Sequence, residues 1–240
     1  MDEATWKQLK AKYTQYPLQP FPWGPSRCHW CARKLVEPLR QVFAKLPTGS
    51  TYLELGSFLG AGTTRLAMES PASLRAVCVD HWRITAEIAN QSPPRGRLTR
   101  DKKTVDFLQG KGTALEHFLN NTFAWQARVV PVAESITTEL LFQLAEEGVQ
   151  PQLILVDDDH KEEAVFARLV DCTRLWPHAT LLLDDCVPRW NGVRLAYKRA
   201  VDQCLIDPHD CRMIMGRVMH VKRSSRNAQS PSAVSPATSG

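Results

Sequence analysis

Acidic residues in this 240-residue chain collect directly after apolar runs. Asp80 follows the run that ends at Val79. Asp157, Asp158, Asp159 and His160 follow Leu153 to Val156. Asp184 and Asp185 follow Leu181 to Leu183. Carboxylates crowded at one place repel one another unless a proton is shared or a cation joins them. A hard divalent cation such as Mg²⁺ takes oxygen ligands and is the expected partner of Asp157, Asp184 and Asp185. There it would hold two substrate oxygens and stabilise a developing oxyanion. His160, three residues past Asp157, is the residue type best suited to act as general base for a hydroxyl proton. The plainer alternative makes these groups helix N-caps and solvated loop residues.

A second group of residues surrounds the stretch YLELGSFLGAGTTRLA, residues 52–67. Glu54 is followed by Gly56, Gly60 and Gly62, a spacing of E-x-G-x-x-x-G-x-G. Glycines here allow close backbone approach to a ligand and a sharp turn into a helix that favours negative charge at its start. The dinucleotide fingerprint G-x-G-x-x-G requires other intervals, so that reading fails. Asp80, about 24 residues on, is placed to accept hydrogen bonds from ribose hydroxyls. Trp82, after His81, offers a face for an adenine ring. An N-cap role for Asp80 and core packing for Trp82 are the plainer readings.

These residues need strands that end at one edge. Short apolar runs at 51–55, 74–79, 127–132, 152–156 and 179–183 read as strands buried on both faces, as in a parallel sheet. Helical patterns at 63–68, 137–147, 162–175 and 193–205 alternate with them, and 213–221 supplies a last strand or pair. A helix is expected near 35–46 and a short one before the prolines of the N-terminal segment; residues 83–126 read as polar and helical, with a loop near 92–96. The fold class is α/β: an open, doubly wound, mostly parallel sheet in three α/β/α layers, with ligands beyond the carboxyl ends of the strands. The predicted division is 1–34 as an aromatic and Pro-rich segment that could cover a cleft, 35–222 as the main domain, and 223–240 as a disordered Ser/Ala/Pro-rich tail.

The order of these motifs resembles the class I S-adenosylmethionine-dependent methyltransferases. ELGSFLGAGTT, VDHW, RVVPVAES, LILVDDDHKEEAVFARL and ATLLLDDCVPRWNGVRLA together are similar to the metal-dependent sugar-type O-methyltransferases of small-molecule pathways. The resemblance implies that Glu54, Gly56, Ser57 and Gly60 hold the methionine end of S-adenosylmethionine, with Gly62 and Thr63 continuing that turn. It places Asp80 on the ribose with His81 and Trp82 beside it, and Ser135 near the adenine. Asp157, Asp184 and Asp185 would bind Mg²⁺, Asp157 also touching the cofactor and serving catalysis, and His160 would deprotonate the acceptor. Asp158, Cys186 and Asn191 depart from the usual pattern, where a small residue, an aromatic and a proline are common. The implied activity is methylation of a small-molecule hydroxyl. Two alternatives stay open: a nucleic-acid methyltransferase, and a non-catalytic cofactor-binding subunit.

Composition bounds the setting. Seven cysteines, an odd number with no framework spacing, favour a reducing, cytoplasmic environment. Cys28-His-Trp-Cys31 lacks the second ligand pair that zinc sites use. The N-terminal residues carry no signal pattern, and no apolar run approaches the roughly 20 residues of a membrane span. Net charge is +5, of which Lys222, Arg223 and Arg226 account for three, so basicity is weak support for nucleic-acid binding. The run from Arg95 to Lys103 reads as a solvated loop or an anion patch. His117, His178, His209 and His220 read as surface or capping residues. Oligomeric state stays open.

Overall fold

The computed structural model describes residues 1–14, 33–60, 62–83 and 113–222. The Cys28–Cys31 motif, the proposed cover over 15–32, the basic run 95–103, the loop near 92–96 and the tail 223–240 lie outside the described residues.

Seven strands form one sheet: β1 (Thr51–Leu55), β2 (Arg75–Val79), β3 (Val129–Val132), β4 (Leu153–Val156), β5 (Thr180–Leu183), β6 (Cys211–Ile214) and β7 (Val218–Val221). Their order is β3-β2-β1-β4-β5-β7-β6. The first five pair in parallel, and β7 runs antiparallel to both β5 and β6. The expected last strand or pair is therefore a pair. Ile214 and Arg217 close the turn between its strands, an N–H to carbonyl bond of 3.1 Å. Met215 and Gly216 both take positive φ, 50° and 69°, the signature of a primed hairpin turn.

The helices are α1 (Glu3–Tyr13), α2 (Arg33–Ala44), α3 (Thr63–Met68), α4 (Ala114–Thr122), α5 (Thr138–Glu146), α6 (Glu162–Leu175) and α7 (Asn191–Asp202). Side chains alternate across each strand, so successive strand residues serve two different cores. Leu53, Leu55, Val77, Val79, Ile154, Val156, Leu181 and Leu183 face α1, α5, α6 and α7. Tyr52, Ala76, Cys78, Leu153, Leu155 and Leu182 face α2, α3 and α4. This is the three-layer α/β/α arrangement expected from the sequence. Helix α1 buries Trp6, Leu9 and Tyr13, one stripe at helical spacing, and the Trp6 indole N–H donates to the Ala127 carbonyl at 3.1 Å.

Chain order reverses between β1 and β4, which are direct neighbours. In open parallel sheets the crevice outside the strand ends at such a switch point receives the ligand. The β1 end carries Gly56, and the β4 end carries Asp157. The Asp157 N–H donates to the Leu55 carbonyl at 2.8 Å, so these two turns are stitched together.

Candidate active site

The β1 turn is organised by a buried carboxylate. Glu54 is 1% exposed and accepts hydrogen bonds from the Thr63 and Thr64 hydroxyls at the start of α3. Burial pushes its pKa up, and those hydroxyls oppose the shift. Glu54 and Thr63 thus tie the strand end to the helix that follows it. Gly56 is required by geometry: its φ is +92°, and a Cβ there would sit 2.3 Å from the Asp157 carbonyl oxygen. Gly60 has φ +64°, and a Cβ there would meet the Phe118 ring at 2.8 Å. Ser57 is buried and Gly62 half-buried within the same turn.

At the β2 end, Asp80 folds two segments around itself. Its carboxylate accepts the Phe58 N–H at 2.9 Å and the Trp82 N–H at 2.7 Å. Phe58 and Trp82 hold positive φ, 44° and 45°. Such backbone is disfavoured for bulky residues and recurs at functional sites. The Trp82 indole N–H donates to the Phe58 carbonyl, and its ring lies 4.8 Å from the Phe118 ring. At 7% exposure, Trp82 belongs to the α2–α4 core, whereas the sequence offered it as an adenine platform. His81 and Ser135, both exposed, lie just beyond the ends of β2 and β3.

The run of aspartates after β4 divides its labour. Asp158 pairs with Arg168 of α6, Nε to carboxylate 3.1 Å, and the same guanidinium donates to the Ile136 carbonyl. Burial raises the Asp158 pKa, and Arg168 opposes that. Asp159 accepts the N–H groups of His160 at 2.6 Å and Lys161 at 2.9 Å, shaping the turn into α6. Asp157 alone faces the β5 acids. Burial, then the charges of Asp184 and Asp185, push its carboxyl well above the usual range.

The His160 ring is held on two sides. Its Nε2 lies 3.1 Å from the Asp185 carboxylate, and its face stacks on Trp190 at 4.1 Å and 28°. The Arg189 guanidinium lies 5.0 Å from that indole. Gly192 sets the loop height, since a Cβ there would be 2.2 Å from the His160 carbonyl oxygen. One ligand atom from each of Asp157, His160 and Asp185 falls within 4.8 Å of the others. Asp184 is engaged differently. Arg217 forks onto it through two 2.9 Å bonds, and its Nη2 also forms an ion pair with Asp185 at 2.9 Å. The ligand set expected from sequence, Asp157 with Asp184 and Asp185, therefore differs from the group assembled here, where His160 stands in the place of Asp184. Arg217, Arg168 and Trp190's stacking role were not foreseen. Gly216 before Arg217 marks a hairpin turn and was the available sign that a side chain would be returned to the β5 end.

No protein-family model matches this sequence, and no curated protein matches it. Solved structures do resemble it. The O-methyltransferase NovP aligns over 80% of this chain and 80% of its own, at 14% identity and a TM-score of 0.51. An O-methyltransferase from Bacillus cereus, solved in complex with SAH, aligns over 92% of each chain at 15% identity and 0.44. A TDP-rhamnose 3'-O-methyltransferase of calicheamicin biosynthesis aligns over 91% of this chain and 93% of its own, at 15% and 0.45. The seven-stranded, mostly parallel sheet and the NovP likeness agree: this chain has a Rossmann-like α/β/α fold, the fold of that O-methyltransferase.

Proposed function

We propose that the protein is an S-adenosylmethionine-dependent methyltransferase that methylates a hydroxyl of a small molecule, with His160 as general base. The observation that carries this reading is the seating of His160. An imidazole held between Asp185 and Trp190 stands in the loop after β4, whose Asp157 backbone packs directly against Gly56 of the β1 turn.

The residues suit the methyl donor. Gly56 and Gly60 let the β1 turn pack directly on the Asp157 backbone and the Phe118 ring, which holds its backbone at the strand ends where the donor would lie. The Asp80 carboxylate carries one backbone donor on each oxygen, and a carboxylate has about four acceptor sites, so ribose hydroxyls still find lone pairs. Glu54, Ser57, Gly62 and Thr63 would shape the methionine end, with His81 and Ser135 bordering the nucleoside and Trp82 backing the Asp80 turn from the core. Bound S-adenosylmethionine supplies an electrophilic methyl group.

With Nε2–H donating to Asp185, Nδ1 is the basic nitrogen of His160. It takes the acceptor's hydroxyl proton as that oxygen becomes methylated. Asp185 stabilises the resulting imidazolium, and the Trp190 stack fixes the ring plane. Base catalysis of this kind contributes about 10²–10⁴-fold. Positioning of the acceptor by the surrounding loops contributes the rest of the rate.

For Mg²⁺ the fit is partial. Asp157 and Asp185 offer hard oxygen donors, which suits a divalent cation, whereas Asp184 is committed to Arg217. A cation held there would stabilise developing oxyanion charge. His160 could serve such a cation as a ligand or the acceptor as a base, and its pairing with Asp185 suits the base.

The deciding experiment is calorimetric titration with S-adenosylhomocysteine, first with Mg²⁺ and then with EDTA, followed by a screen of small hydroxylated acceptors. Binding in both conditions and turnover on such an acceptor support the reading. No binding in either condition removes it. Binding without any turnover favours a non-catalytic subunit, and turnover on RNA alone favours a nucleic-acid acceptor.

A further inference from the structure

Arg217 lies outside every motif in the sequence, and it is the group most intimately bound to the acids of the site. The hairpin between β6 and β7 delivers it. Met215 and Gly216 take the two positive-φ positions, so Arg217 is the residue at which the chain re-enters the sheet beside β5. Its own carbonyl accepts the Cys186 N–H at 2.8 Å, which fixes its backbone to the segment carrying the acids. Its guanidinium then forks onto Asp184 through Nε and Nη2, both at 2.9 Å, and Nη2 also lies 2.9 Å from Asp185 Oδ1. The other Asp185 oxygen, Oδ2, is the one that faces His160. Arg217 and His160 therefore divide one carboxylate between them. The side chain is one-quarter exposed and the two aspartates about one-eighth, so solvent screens these charges only in part.

Three carboxylates at one cleft repel one another unless a proton is held among them or positive charge is supplied, and positive charge has two sources: an ion from solution or a cation of the chain. A planar guanidinium matches a carboxylate edge-on with two parallel bonds, which an ammonium cannot do. We propose that Arg217 is a built-in counter-cation of the Asp157–Asp184–Asp185 cluster, taking the place a divalent metal would otherwise fill, so that the site keeps its shape without metal and binds metal weakly. Arg217 acts here as a positioning residue: it orients Asp185, and Asp185 orients His160. The purpose assigned to the site rests on the methyltransferase reading, but the effect of Arg217 on metal affinity does not.

The test uses the full chain and Mn²⁺ and Mg²⁺ alone as probes. Arg217→Gln removes the charge and keeps a hydrogen-bonding side chain. Arg217→Lys restores the charge without the fork. Calorimetry gives the affinity for Mn²⁺, and thermal denaturation in Mg²⁺ and in EDTA gives the metal dependence of stability. Arg217→Gln should bind Mn²⁺ at least tenfold more tightly than the wild type, and its melting temperature should rise with Mg²⁺ where the wild type's does not. Arg217→Lys should fall nearer the wild type. If the uncompensated acids prevent Arg217→Gln from folding, the double variant Arg217→Gln/Asp184→Asn removes both partners, and it too should bind Mn²⁺ more tightly than the wild type. Equal or weaker Mn²⁺ affinity in whichever variant folds overturns the proposal, as does a wild-type protein that needs Mg²⁺ to stay folded. Binding of S-adenosylhomocysteine, measured on the same samples, reports separately on the methyltransferase reading: its absence would remove that reading and leave the metal result standing.

Discussion

A single imidazole carries the chemistry proposed for this site, and its surroundings say how replacement should read out. Among the described residues, the His160 ring pairs with Asp185 and stacks on Trp190 rather than on the glycine-rich turn. His160→Ala should therefore lower kcat by about 10²–10⁴-fold while the affinity for S-adenosylhomocysteine changes little. Steady-state kinetics and calorimetry on one preparation separate the two quantities, and equal loss of both would count against the base. Glu54 makes a second prediction, on stability. Its folded pKa lies above the ordinary 4.5 because burial penalises the charge. A folded state that holds its proton more tightly than the unfolded chain is most favoured at low pH. The cost of the buried charge thus grows as pH rises from about 4.5 toward the folded pKa, and it is constant above that. Glu54→Gln keeps the shape and cannot ionise. Its melting temperature relative to the wild type should therefore climb over that window and then level off. A difference that does not change with pH would mean that Glu54 is charged without penalty.

At the scale of elements, two glycines hold the strand ends in register with the loops above them. Gly192, in the first turn of α7, approaches the His160 carbonyl so closely that a Cβ would lie 2.2 Å away. The obstacle is backbone, which cannot step aside as a side-chain tip can. Gly192→Ala should cost about 1–3 kcal/mol of stability in denaturant unfolding. It should also cut turnover while S-adenosylhomocysteine still binds, since it lifts the base loop and leaves the β1 turn alone. Gly56→Ala collides with Asp157 and also strains a backbone at φ +92°, so there cofactor binding should fail as well. Retained turnover in Gly192→Ala would show that the loop can move without harm. Much of this scaffold was legible in the sequence. Buried parallel strands are unbroken apolar runs, so 51–55 and the helix 162–175 emerge with their observed bounds, and the acids at strand ends follow from them. Edges were less legible: residues 127 and 128 belong to a 3₁₀ turn before β3, because a strand stops where its neighbour stops pairing. The fates of the acids were not legible at all. Asp158 meets Arg168 in the second turn of α6, 10 residues on, and Asp184 meets an arginine 33 residues away, contacts that only tertiary register decides. Trp82 was ambiguous for the same reason: VDHW does not say whether the indole faces a ligand or Phe118.

For the whole molecule, the position of the site predicts how strongly a ligand should stabilise the fold. The crevice lies where the β1, β2 and β4 turns meet, and each of those turns is anchored in a core on one face of the sheet or the other. Glu54 and Thr63 belong to the α3 side, whereas Asp157 leads through Asp159 into α6 on the opposite side. A ligand bridging these turns engages both layers at once and has no equivalent site in the unfolded chain, so its full binding energy adds to folding. At a concentration 100 times its Kd, S-adenosylhomocysteine should contribute about 2.7 kcal/mol. For a domain of this size that corresponds to a rise in Tm of roughly 5–11 °C. Asp80→Ala should lower the affinity, and it removes the carboxylate that bridges the Phe58 and Trp82 N–H groups while the indole bond to the Phe58 carbonyl stays, so at the same ligand concentration its rise should be much smaller, on top of a lower starting Tm. Repeating the melts with Mg²⁺ and with EDTA isolates the ligand from any ion. A wild-type Tm that does not move with S-adenosylhomocysteine in either buffer would mean that the switch-point crevice takes some other molecule, and the seating of His160 would then need a different substrate to explain it.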